Sequence, residues 1–143
     1  IIYIVNEKEN IPYFVLVDSK GKKIYLSKLN GNITKQIGNG REGDVDGFAN
    51  NAEFCHPFDV VSNENFLYIS DTCNDSIKSV NLNTLEVKTI LTVEKPLALS
   101  VLNNNLLIST ATQTPLLKYN LESKNLEEVS CDVCSDDIIN FSN

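Results

Sequence analysis

Apolar residues along this chain alternate with polar ones or cluster in fours and fives. No window of a dozen residues carries the i, i+3, i+4, i+7 stripe of an amphipathic helix. The pattern predicts strands throughout and no helix. In the middle of the chain Phe58-Asp59-Val60-Val61 and Phe66-Leu67-Tyr68-Ile69 flank Asn63-Glu64-Asn65, which reads as a hairpin turn. Ile77, Val80 and Leu82 mark a third strand, and Val87 to Leu91 a fourth. Similar segments are predicted at 1–5, 13–18, 23–28 and 33–37, and again at 97–101, 106–110, 116–121 and 126–129.

The four-strand pattern repeats. A constant shift of 39 lays Leu67-Tyr68-Ile69-Ser70 over Leu106-Leu107-Ile108-Ser109 and also superposes Pro57 on Pro96, Ile77 on Leu116 and Leu82 on Leu121. A shift of 53 in the other direction brings Asp71 onto Asp18, Ile77 onto Ile24 and Ile90 onto Ile37. A fixed period of roughly forty residues marks an array or a propeller, and four antiparallel strands in that length make one propeller blade. The expected fold is therefore all-β, a β-propeller of four-stranded antiparallel blades. Residues 1–38 form a first blade, 39–91 a connection and second blade, and 92–130 a third. Asp137-Ile138-Ile139-Asn140-Phe141 aligns with Leu97-Ala98-Leu99-Ser100-Val101, so 131–143 open a fourth. An open β-sandwich or meander shares the periodicity, but the gap-free shifts favour the propeller. Three blades do not close a ring of roughly four to eight. The remaining blades come from the same chain or from a second copy.

Composition narrows the partners. With 42% hydrophobic and 22% charged residues over 143 positions the chain has ordinary globular usage. Its formal charge is −7, its only arginine is Arg41, and its eleven lysines are scattered, so no surface for nucleic-acid phosphates is expected. No apolar run approaches the ~18 residues needed to span a bilayer, so no membrane insertion is expected of this segment. The absence of Met, including at position 1, reads as an excerpt of a longer chain.

The connection ahead of the middle unit runs Gly38-Asn39-Gly40-Arg41-Glu42-Gly43-Asp44-Val45-Asp46-Gly47-Phe48, then Ala52-Glu53-Phe54-Cys55-His56-Pro57. A phosphate-cradling loop would need a helix N-terminus and usually a lysine, and neither follows. With an Asp-Gly pair, then Phe and Pro ahead of a strand, and with Leu67-Tyr68-Ile69-Ser70-Asp71-Thr72, Asn74 and Ile77 beyond, the stretch resembles the NHL-repeat family. The resemblance is specific over 38–90, weaker over 13–37 and mostly apolar pattern over 97–141. It implies a six-bladed ring in which the glycines serve backbone turns, Phe54 plugs the gap between blades and Pro57 fixes φ where the innermost strand starts. Departures exist: the family's Asn-His-Leu step is Asn74-Asp75-Ser76, and the third unit has Thr110 where Asp71 would stand, followed by Thr112-Gln113-Thr114-Pro115. Asp18 and Asp71 are expected to accept hydrogen bonds from the turn amides that follow them.

If the hairpin is centred on Glu64, facing residues have numbers summing to 128, as Cys55 and Cys73 do. Facing Cα atoms at about 4.5–5.5 Å suit a disulfide. Phe-Cys-X-Pro before the first strand and Cys-Asn after the second also resemble one blade of the peptide-amidating lyase propeller, where the equivalent cysteines are bonded. The alternative is two buried free thiols in a cytosolic protein. Cys131 and Cys134 form one Cys-X-X-Cys without the helical context of a redox motif or a second pair for zinc. They are expected to form a small local disulfide or to pair outside this segment. Together the cysteines point to an oxidising compartment, a secreted or organelle-lumen protein, with the cytoplasm as the alternative.

The lyase holds zinc through several histidines, and this chain has only His56. The lyase's functional Tyr before the second cysteine is Thr72 here. No catalytic residue and no cofactor are therefore expected, with calcium at Asp44 and Asp46, or zinc, as minor alternatives. The leading expectation is a non-catalytic module whose loops bind a protein or peptide. The alternative is a metal-dependent lyase or hydrolase propeller with catalytic residues mostly outside this segment. Propeller geometry places 38–56, 72–76, 92–96, 111–115 and 130–136 on one face. That face nominates Arg41, Glu42, Asp44, Asp46, His56, Asp75, Gln113 and Asp132 as contact residues, mostly acidic and suited to a basic partner.

Overall fold

The computed structural model describes residues 2–6, 11–113 and 116–129, and these form three antiparallel sheets. Cys131, Cys134, Asp132 and the expected start of a fourth unit lie outside the described residues. The first sheet runs in chain order through β1 (Ile2–Asn6), β2 (Ile11–Asp18), β3 (Lys23–Lys28) and β4 (Ile33–Ile37). The middle sheet contains β5 (Gly47–Phe48), β6 (Pro57–Asn63), β7 (Phe66–Asp71), β8 (Ser76–Asn81) and β9 (Glu86–Thr92), in the spatial order β5-β9-β8-β7-β6. The third sheet is again a meander, of β10 (Pro96–Leu102), β11 (Asn105–Thr110), β12 (Leu116–Asn120) and β13 (Leu126–Glu128). Alternation predicts every one of these except β5. That dipeptide pairs Gly47 with Val87 and Phe48 with Glu86, and is too short for any periodicity to reveal. Among the described residues the predicted absence of helix needs one correction, a 3-10 turn at Thr72–Asn74.

The β6–β7 hairpin differs in register from the predicted one. Its pairs run Asn63 with Phe66 through Asp59 with Ser70, so the turn is the dipeptide Glu64-Asn65, with Glu64 at φ +52°. A bulge at Phe58 then shifts the register by one, and Pro57 faces Asp71. The bulge carries its own hydrogen bond, from the Asp59 amide to Ser70 Oγ at 3.1 Å. One period later β10 bulges between Pro96 and Leu99, and the Ala98 amide donates to Ser109 Oγ at 2.9 Å. The repeat therefore extends to irregularities of the strands.

The middle sheet is covered on both faces, and β7 is buried accordingly at Leu67, Tyr68, Ile69, Ser70 and Asp71. Toward the first sheet, Leu67, Ile69, Val80 and Val87 pack in one cluster with Val15, Ile24, Ile37 and Phe54. Toward the third sheet, Tyr68, Ile77 and Val93 pack with Leu106, Ile108 and Tyr119. Fully buried Phe54 lies in the seam between the first and middle sheets, and full burial of such a side chain stabilises by about 1.5–3 kcal/mol. Gly38 makes room for it: at φ +98°, a Cβ there would stand 3.1 Å from the Phe54 ring and 2.8 Å from Lys22 O. Side-chain hydroxyls cross each seam, and at the second one Ser70 Oγ also donates to Leu97 O at 2.6 Å. Ser19 Oγ donates to Pro57 O, and Thr72 Oγ1 donates to Pro96 O at 2.7 Å. Both follow the aspartate that ends a second strand, and in the third sheet the corresponding residue is Ala111.

Candidate functional site at the disulfide end of the sheets

The loops at the start of β6 and the end of β7 are fastened together from both sides. Cys55 and Cys73 are joined in a disulfide with their Cα atoms 5.6 Å apart. Their opposition arises from the bulge at Phe58, not from a hairpin centred on Glu64. Beside the bridge, fully buried Asp71 accepts from the amides of Cys55 at 3.1 Å and His56 at 2.7 Å, and from Asn74 Nδ2 at 2.7 Å. The expectation that Asp71 serves the turn following it is thus corrected: its backbone donors belong to the loop ahead of its own hairpin. Asp18 does behave as expected, accepting from the Gly21 amide at 2.7 Å. Asn74 continues the network outward by donating to Gly43 O at 2.7 Å.

On this frame His56 is exposed, and its ring stacks on that of half-exposed Phe58 at a centroid distance of 6.4 Å and 26°. Asp75, in the left-handed conformation at φ 50°, accepts from the Lys95 amide at 2.8 Å and so aligns the connection into β10. Arg41 is exposed, with its amide bound to Asn39 Oδ1 at 2.8 Å, while Glu42 forms an ion pair with Lys22 at 3.2 Å. Gln113 is exposed. The Asp75 amide donates to Thr72 O at 3.3 Å within the same turn, so Thr72, Asn74, Asp75, Gly43 and Lys95 form one loop cluster.

Asp44 and Asp46 stay half-exposed, but each turns a carboxylate oxygen to a residue that sequence reasoning missed. The Lys78 ammonium, fully buried, donates to Asp44 Oδ1 at 2.6 Å, Asp46 Oδ1 at 3.1 Å and Thr89 Oγ1 at 2.9 Å. Thr89 also donates its amide to Asp46 Oδ2 at 2.8 Å and its hydroxyl to Oδ1 at 2.9 Å. Burial opposes the charge on Lys78, but the hydrogen bonds and charges of Asp44 and Asp46 outweigh it and raise its pKa above the ordinary lysine value. Burial likewise opposes the charge on Asp46, yet the Thr89 amide, the Lys78 ammonium and the Thr89 hydroxyl together hold its carboxyl below the ordinary aspartate value. The two carboxylates thus tie the connection down across the face of β8 and β9. The available signal was Lys78 itself, a charge on the same face as Leu67, Ile69 and Val80. Among the described residues, no group of three or more His, Cys, Asp or Glu is placed to hold a metal ion.

No family model matches the chain, and no curated protein does. Solved structures do. The N-terminal domain of Nup159 matches at TM-score 0.62 and 18% identity over 91% of this chain, and a Bacteroides thetaiotaomicron protein of unknown function at TM-score 0.69 and 16% identity over 87%. An S. cerevisiae complex, Dbp5 bound to Nup159, Gle1, IP6 and ADP, matches at TM-score 0.60 and 17% identity over 85%. The fold is that of a β-propeller. This chain spans about a third of each solved chain, 33%, 34% and 31%. Likeness at such identity concerns the propeller architecture alone.

Proposed function

We propose that this propeller segment is a non-catalytic module that binds a protein or peptide with the loops at its disulfide end. The carrying observation is the exposed His56–Phe58 ring pair on loops fixed by the Cys55–Cys73 bridge and the Asp71 hydrogen bonds. An aromatic anchor on a backbone already held in place binds at lower entropic cost than one on a free loop. The likeness to Nup159, solved with protein partners, supports the class of function. In this reading the three sheets are NHL-like blades, completed by further blades of the same chain or a second copy. The bridge supports a secreted or lumenal location.

A photo-crosslinking amino acid at His56 or Gln113, compared with one at Asn83 or Glu122 among the turns at the opposite end, tests the reading. The same protein partner cross-linked at the first two positions and not at the second two is expected. Capture with no preference between the ends would refute it.

A further inference from the structure

At the opposite end of the sheets, a cavity of about 360 Å3 opens between the middle and third sheets. Its walls are aromatic and aliphatic, with Phe66, Tyr68, Ile90 and Leu121, and the rings of Phe66 and Tyr68 stack at 6.4 Å and 26°. Its polar groups gather at the turns, apart from Ser79 on β8. Asn63 Nδ2 donates to Asn104 Oδ1 at 3.1 Å, which bridges the two hairpin turns. Two formal charges belong to the lining, Glu64 and Lys124. They are not equivalent. The Lys124 ammonium donates to Leu121 O at 2.6 Å. The Glu64 carboxylate is exposed and takes part in no hydrogen bond or ion pair among the described residues, yet it lies near enough for its charge to add to the effect of burial in raising the Tyr68 phenol.

We infer that this cavity receives the arginine side chain of a basic peptide, its guanidinium stacked over Phe66 and Tyr68 and paired with Glu64. A planar cation suits both halves of the site. Its faces stack on aromatic rings, and its edge presents parallel donors to a carboxylate. The side-chain oxygen of Asn63 at the rim can accept a hydrogen bond from one of its remaining N–H groups. The formal charge of −7 favours the approach of such a peptide. This surface is separate from the disulfide-end loops, and either assignment can fail without the other.

The test is titration of the isotopically labelled intact chain with an uncharged-terminus Gly-Arg-Gly peptide, followed by amide chemical shifts. Its counterpart containing citrulline, which keeps the shape and loses the charge, is the comparison. Saturable shifts at Phe66, Tyr68 and Ile90 are expected, with affinity weakened at least about fivefold by citrulline or by Glu64→Gln. Lys124→Gln is expected to tighten binding, because it removes a like charge. Equal affinity for the two peptides, shifts centred on Asp44 and Asp46, or weaker binding by the Lys124→Gln protein would each overturn the assignment. Because Glu64 and Lys124 are surface turn residues, unchanged thermal unfolding of both variants verifies that the comparison is made on folded protein.

Discussion

Lys78 Nζ lies 2.6 Å from Asp44 Oδ1, a contact between a fully buried strand residue and an exposed carboxylate thirty-four positions earlier in the chain. The exposures are unequal: 0% for the lysine side chain against 55% for Asp44 and 44% for Asp46. Loss of the carboxylates would strand an ammonium away from water, whereas loss of the ammonium leaves two carboxylates that water can reach. The double variant Asp44→Asn, Asp46→Asn is therefore expected to cost about 3 kcal/mol in urea unfolding, and Lys78→Met clearly less. Equal losses would show that solvent reaches the lysine.

The same contact sets a pH window. The depressed pKa of Asp46 contributes stability that is present above the unfolded value of about 3.9 and lost as pH falls through the folded value below it. The raised pKa of Lys78 contributes stability that is full below about 10.4 and lost as pH rises through the folded value above it. The stability difference between the native chain and Lys78→Met is expected to be flat between these limits and to shrink beyond each. Unfolding curves at acid, neutral and alkaline pH measure it.

The strands are legible in the sequence because alternation and a constant shift fix them independently, whereas the place of Phe54 between two sheets is implied by the family resemblance, and the Cys55–Cys73 bridge forms although the hairpin centre that pairs the two cysteines is displaced. The hairpin centre is not legible, because the bulge at Phe58 adds a residue to one side, and the phase change it makes falls at the start of β6, where too few alternations precede it to be read. Asp44 and Asp46 read as a solvated acidic loop because the nearest cation in sequence, Arg41, belongs to the same exposed loop, while Lys78 lies thirty-four and thirty-two residues on. The pairing of β8 with β9 sets Lys78 opposite Thr89, which also holds Asp46. The donors to Asp71 escape sequence reasoning for a similar reason, since they lie fifteen and sixteen residues before it.

The bridge closes a loop of 18 residues, for which the chain-entropy relation gives a contribution of about 3 kcal/mol. Replacing Cys55 and Cys73 by Ser is expected to lower stability by that order and to lower His56 amide protection in hydrogen exchange. Intact-mass analysis of protein from its native compartment, with and without reductant, is expected to show the mass gain of at least one reduced bridge. An unchanged mass would count against a secreted or lumenal location.

Gly38 occupies a backbone conformation that side chains resist, and its missing Cβ is where the Phe54 ring and Lys22 O come close. Gly38→Ala combines both penalties and is expected to cost about 2 kcal/mol or more. Gly31 has a similar positive φ of 88°, but a Cβ added there would meet nothing within 4 Å, so Gly31→Ala incurs the backbone penalty alone and should cost less. The difference between the two variants in chemical denaturation measures how tightly the first seam is closed around Phe54.

Ser19 and Thr72 perform the same task one repeat apart, each tying the end of a second strand to the proline carbonyl that begins the next sheet. A hydrogen bond of this kind contributes about 1 kcal/mol. Ser19→Ala and Thr72→Ala are each expected to lose about that much, and because the two seams share no partner the double variant should lose the sum. Ala111 occupies the equivalent place in the third sheet, where the hydroxyl is already missing. Installing one there with Ala111→Thr should therefore leave the two upstream seams unaffected. Hydrogen exchange resolves the question residue by residue: Thr72→Ala should speed exchange in β10 without changing β3, and Ser19→Ala should speed it at the start of β6 without changing β11. If either variant loosened all three sheets equally, the seams would open as one unit and not as separate nearest-neighbour contacts.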